Sequence, residues 1–260
     1  MRLNLDPTWA TGLKLFLEGQ LKNAAGVNEV EGQVEAVFIA GYFRDLGILR
    51  YAEGHNLEEV ADLFRRSSAY NLKAFSFHGT VVNKIIGGSE STVVDHSLTN
   101  PNSALQALEL ALACGASEIA VSLAKYVWDP PYASYIAPDS VVCSPEDQHL
   151  AYALRELLSG KYKSGLEELA LLDHAIGRVR QRTLLLLALL TENYGEFTSA
   201  LEIHHENFLK KVNQKAVFND LEDILDITAL AYINLGRVHF PEFVLTKSDV
   251  FMPFGLGLNR

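Results

Sequence analysis

The sequence predicts an all-α protein, an irregular stack of antiparallel helix pairs of the α-solenoid kind. Three observations predict it. Apolar residues recur at spacings of three and four through most of the 260 residues. Gly54, Gly115, Gly160, Gly195 and Gly236 each follow an apolar helical segment, where a turn between helices would fall. The slots after these glycines also repeat. Tyr162, Gly165, Leu166 and Leu169 follow Gly160 at the offsets at which Phe197, Ala200, Leu201 and His204 follow Gly195.

Ala120 and Val121 hold the corresponding small and apolar slots after Gly115. An aromatic in such a register plugs the helix junction, and a small residue lets two helices approach closely. The pattern is similar to the helix–turn–helix junction of tetratricopeptide repeats, although the glycines are unevenly spaced where those repeats are regular.

The elements follow in order. Asp6 and Pro7 read as an N-cap and a first-turn proline, opening a helix through Trp9, Leu13, Phe16 and Leu17. A second helix runs from Val30 to Leu46, with Val30, Val34, Val37, Phe38 and Tyr42 on one side. A third begins near Asn56 and carries Leu57, Val60, Phe64, Leu72 and Phe75. GGSESTVVDHSLTNPNS, Gly87 to Ser103, has turn residues at a density that reads as a loop. WDPPYASYIAPDSVVCS, Trp128 to Ser144, contains three prolines, which exclude a continuous helix. Ser144-Pro145-Glu146-Asp147 is the strongest helix start, with a hydroxyl cap, a first-turn proline and acids behind it. Apolar and aromatic residues recur through both interruptions. One domain is therefore expected over residues 1–260, with an N-terminal helical part (1–86) and a helix-pair repeat part (98–260).

With 22 basic against 32 acidic residues, the formal net charge is −10. Such a surface repels nucleic-acid phosphates and anionic headgroups, and it attracts a basic partner. Cys114 and Cys143 lie far apart and form no CxxC pair. The N-terminus lacks an uninterrupted apolar h-region, and the longest apolar run, TLLLLALL from Thr183, falls well short of the roughly 20 residues that span a bilayer. A cytoplasmic protein is expected, with neither nucleic acid nor membrane as partner.

The motifs that carry chemistry are thin. His204 and His205 stand among carboxylates, but His204 falls in the slot of Leu169, and adjacent side chains on a helix diverge by about 100°. Two ligands on one helical face need spacing of about three or four, as in HExxH. A packed histidine is the expected reading. Asp95-His96-Ser97 holds three triad residue types whose consecutive side chains diverge. Gly87-Gly88-Ser89 precedes no phosphate-loop lysine. Cys143 precedes a helix start but has no recognisable base beside it. No catalytic residue, metal or cofactor is expected. An enzyme drawing on His96, His149, His174 and His205 would need them brought together from separate helices.

Four stretches in order carry a family resemblance. They are LTNPNSALQALELALACGASEIAVSLA from Leu98, PEDQHLAYALRELLSGKYKSGLEEL from Pro145, YGEFTSALEIHHENFLKK from Tyr194, and LEDILDITALAYINLGRVHFPEF, followed by the terminus MPFGLG. Across residues 98–256 the chain resembles the immunity protein 49 family of bacterial polymorphic-toxin systems. The resemblance implies a helical cytoplasmic protein that binds and neutralises a cognate toxin without catalysis. A toxin that acts on nucleic acid would be basic, and an acidic inhibitor would steer towards it.

Two surfaces are candidates for that contact. One is the acidic segment Asp220, Glu222, Asp223 and Asp226, in which Asp223 and Asp226 would share an exposed face opposite Leu221, Ile224, Leu225 and Ile227. The other is the loop with Trp128, Tyr132 and Tyr135, because loop aromatics often anchor interfaces. The alternative function is a tetratricopeptide-like adaptor holding a peptide or partner protein in a groove.

Overall fold

A computed structural model of the chain describes residues 3–25, 32–78, 80–86, 89–95, 98–126, 144–244, 249, 251–253 and 256, with only the backbone given over 80–95. The helices are α1 (Pro7–Ala25), α2 (Gln33–Ala52), α3 (Leu57–Ser76), α4 (Pro101–Ala113), α5 (Ser117–Ala124), α6 (Pro145–Leu158), α7 (Tyr162–Ala170), α8 (Gly177–Leu190), α9 (Tyr194–Val212) and α10 (Ile227–His239). A 3-10 turn, Leu221–Asp223, precedes α10. Strands β1 (Thr80–Ile86) and β2 (Ser89–Asp95) lie between α3 and α4.

Local chemistry fixes the helix starts. The Asp6 carboxylate accepts the N–H groups of Thr8 and Trp9 at 2.9 and 3.0 Å. Asn56 caps α3 through Glu59 at 2.8 Å, Asn100 caps α4 through Ser103 at 2.9 Å, and Ser144 caps α6 through Asp147 at 3.1 Å. Each satisfies an N–H that the first turn would otherwise leave without a partner.

The turns are only partly those that the glycines predict. Gly54, Gly115 and Gly160 sit just past helix ends at φ 86, 71 and 70°, a region open to glycine at little cost. Before α9 that conformation belongs to Glu192, at φ 52°. Gly195 lies in the first turn of α9, and Gly236 lies inside α10. Gly236 serves a close approach instead, since a Cβ there would stand 2.5 Å from Phe197 Cε1.

The helical class holds. Pairs α4–α5, α6–α7 and α8–α9 stack, with α4 against α6 and α6 against α8. The small slots Ala120, Gly165 and Ala200 are all buried. α1, α2 and α3 pack in sequence, and α3 lies against α4 and α5. One large core runs from Ile48, Phe64 and Phe75 through Leu154 and Leu186 to Tyr232, while Leu17, Ile39, Phe43, Leu46 and Leu63 form a smaller one. The last helix does not add another layer: α10 lies against α4, α8 and α9. Asn234 fastens it there, donating to the Leu112 and Ala113 carbonyls at 2.8 and 3.1 Å.

Two expectations need correction. β1 and β2 form an antiparallel hairpin, Thr80 opposite Asp95 through Ile86 opposite Ser89, where a helical part and a loop were expected. Val81, Val82, Ile85, Ile86, Thr92, Val93 and Val94 are β-branched, and two glycines separate the runs in sequence, a hairpin signal masked by the turn residues that follow. In α2 the buried side is Ala36, Ile39, Ala40, Phe43 and Leu46. The stripe that the apolar spacing picked out, with Val34, Phe38 and Tyr42 on one side, is the outer one, and Phe38 is 56% exposed. α2 carries apolar residues on both sides, and periodicity alone does not choose between them. Among the described residues no helix is long and apolar enough to cross a membrane.

Candidate functional site

His204 and His205 both point into the fold, and both reach one carboxylate. His204 Nε2 lies 3.1 Å from Asp226 Oδ1, and His205 Nδ1 lies 3.3 Å from Asp226 Oδ2. Neighbouring side chains diverge on a helix, but different ring nitrogens and the two carboxylate oxygens absorb the divergence. His205 Nε2 continues to Asp249 Oδ2 at 2.6 Å. Asp226 is also the N-cap of α10, accepting from the Ala229 N–H at 3.0 Å, and its own N–H donates to the Phe251 carbonyl at 2.9 Å. Asp249 Oδ1 accepts from the N–H groups of Phe251 and Met252 at 2.8 and 3.1 Å. The chain of contacts therefore ties α9, the start of α10 and the C-terminal segment together.

Charge follows from this geometry. Burial alone would raise the Asp226 pKa, but His204, His205 and the Ala229 N–H hold it well below the usual carboxylate range. Burial opposes charge on His205, yet its hydrogen bonds to Asp226 and Asp249 outweigh that and raise its pKa. The His204 Nδ1 atom is buried and has no hydrogen-bond partner. The imidazoles are spent on carboxylates. Among the described residues no group of three or more His, Cys, Asp or Glu is placed to hold a metal ion.

A second buried network lies two residues further along α10. Arg182 of α8 grips Glu109 of α4 with two bonds, Nε to Oε1 at 2.6 Å and Nη2 to Oε2 at 2.8 Å. The Thr228 hydroxyl accepts from Arg182 Nη2 at 2.8 Å and donates to Glu109 Oε2 at 3.0 Å. Glu109 and Arg182 are 3% and 8% exposed. Burial would lower the Arg182 pKa, but Glu109 raises it, so the guanidinium stays charged. Burial first, and then Glu109, push the Tyr232 phenol far above its ordinary range, and its hydroxyl has no partner. The sequence did carry a signal for this pair. Glu109 is in helical register with Leu105 and Leu112, and Arg182 with Leu185 and Leu186, so each places a charge on a core-facing stripe.

Residues of both networks line an open groove of about 700 Å3. Its walls come from α2, α3, α4, α8, α9 and the turn before α10, and Glu109, Arg182, His204, Asp226 and Thr228 line it.

The structure separates the proposed acidic surface. Asp220 and Glu222 are exposed, but Asp223 and Asp226 are 0% and 3% exposed and share no outer face. Residues 220–226 do not form one amphipathic helix; the chain makes a 3-10 turn, and α10 begins only at Ile227. Asp223 turns inward beneath Lys211, at 2.8 Å, and Lys215. Burial would raise its pKa, but the two lysines lower it. Trp128, Tyr132 and Tyr135 lie outside the described residues, as do Cys143, His96 and Ser97. Of the remaining scattered histidines, His149 pairs with Glu168 across α6 and α7 at 2.8 Å, and His174 is exposed. Cys114 is buried and free, and burial raises its thiol pKa.

Comparison of the chain with protein-family models, with curated proteins and with solved structures returned no match.

Proposed function

We propose that this chain is an immunity protein, which acts in the cytoplasm by binding a cognate toxin and makes or breaks no bond. One observation carries the reading: a stack of helix pairs holds open a groove of about 700 Å3 whose buried charges are already paired with one another. Charges committed to partners are poor acids, bases or nucleophiles, whereas a concave face is a suitable binding surface. The excess of 32 acidic over 22 basic residues adds long-range attraction for a basic toxin. The ordered resemblance over residues 98–256 supplies the specific partner class.

The test is co-expression with the product of the neighbouring upstream reading frame. Survival of cells that this product otherwise kills, together with co-purification of the two chains, is the expected result. Continued killing with no complex would overturn the reading. The adaptor alternative draws on the same groove. Rescue from the toxin separates the two.

A further inference from the structure

The groove carries side-chain amides that are not committed to other side chains. Asn71 of α3, Gln181 of α8 and Asn207 of α9 line it, each half-buried and without a side-chain hydrogen bond among the described residues. Every such amide presents one acceptor and two donors, the complement of a peptide unit. His204, whose buried Nδ1 has no partner, also lines the groove.

Four basic and five acidic side chains line the groove, and all but Arg178, Asp147 and Glu222 have a partner of opposite charge among the described residues. Arg182 is bound to Glu109 and Arg44 to Asp45 at 2.8 Å, Lys211 to Asp223, and Asp226 to the two histidines. The groove is thus near neutral, although the chain as a whole carries −10. At its edge, Phe38 and Tyr42 of α2 stack with ring centroids 6.4 Å apart, and Phe38 is more than half exposed. Phe16 of α1 meets Tyr42 edge-on at 5.8 Å and extends the same aromatic ledge outside the groove. Exposed stacked aromatics beside a concave face have the character of an interface anchor.

We propose that the groove receives an extended, near-neutral segment of the partner polypeptide. The amides of Asn71, Gln181 and Asn207 bond its backbone, and one apolar side chain rests on Phe38 and Tyr42. This deepens the binding role proposed above, because it assigns the partner's contact to a strand-like segment and not to a charged patch. Electrostatics then acts on approach, and hydrogen bonds with apolar contact act on retention.

The probe is a displayed library of random peptides of about twelve residues, panned against the full-length chain. Enriched peptides are expected to share an apolar residue and no net charge. Their Kd is expected to rise about tenfold or more in the triple variant Asn71→Ala, Gln181→Ala, Asn207→Ala, and about tenfold in Phe38→Ala. N-methylation of one central peptide bond is expected to weaken binding by roughly fivefold, a readout specific to backbone recognition. Phe38 is exposed, so Phe38→Ala reports binding even if the triple variant folds poorly. No enriched peptide, or peptides that bind Phe38→Ala and the N-methylated form undiminished, would overturn the proposal. The two readings part cleanly. Rescue from the toxin that survives the groove variants intact sinks the groove and leaves the immunity role standing, whereas groove-bound peptides without any rescue do the reverse.

Discussion

The Glu109–Arg182 pair and the Asp226–histidine chain both anchor the first turn of α10, through Thr228 and Asp226, and they respond to protons differently. In the first, a guanidinium faces a carboxylate through two short bonds, and the guanidinium stays charged. In the second, the positive partner is an imidazole, the side chain that gains or loses its proton in the physiological range. One junction is permanent and the other conditional. The lesson is that burying a charge fixes its need for a partner, while the identity of the partner decides which solution conditions the fold tolerates.

The largest effect is expected at the permanent junction. Arg182→Ala leaves Glu109 buried without its cation, and a loss of about 3–5 kcal/mol in urea unfolding is expected. Replacing both residues, Glu109→Leu with Arg182→Met, should recover most of that loss, because no charge is then left unpaired. A cost under about 1 kcal/mol for Arg182→Ala would show that the pair is not sealed from water.

Next comes Gly236→Ala, which drives a methyl against Phe197. Overpacking of about 1–3 kcal/mol, less up to about 1 kcal/mol of gained helix propensity, predicts a lowered Tm. It loosens α10 against α9 without touching either charged network, so it separates packing from charge.

The pH response tests the conditional junction directly. The folded pKa of His205 is raised, so its contribution is fully present below the unfolded value of about 6.5 and is lost as pH rises through the raised value. The folded pKa of Asp226 is depressed, so its contribution is present above about 3.9 and is lost as pH falls below that. Denaturant midpoints should therefore decline on the alkaline side of about 6.5, and His205→Gln should flatten that limb. An unchanged alkaline limb in His205→Gln would remove His205 as the titrating group. Charge reversal at the exposed Glu222 should move stability by no more than about 0.5 kcal/mol.

The fold was legible where local chemistry decides it. Asp6-Pro7, Asn56 and Ser144-Pro145 announce helix starts because a cap needs only neighbours in sequence. The buried side of α2 was not legible, since Val34 and Phe38 are as apolar as Ile39 and Phe43, and only the positions of α1 and α3 choose between them. The site was legible in its histidines and illegible in its partners. His204 and His205 stood out, but Asp226 and Asp249 lie 21 to 44 residues away, and the acid that looked exposed is their ligand. Glu109 and Arg182 are 73 residues apart, a pairing no local pattern states.

Thr228 meets Glu109 across 119 residues, and Asn234 meets the Leu112 carbonyl across 122. In a chain synthesised from its N-terminus, Glu109 and Arg182 emerge before Thr228 and Asn234, so these contacts can form only after the last of them is translated. Assembly of this molecule is a closing step and not a steady extension, and its rate should be set by that distant return.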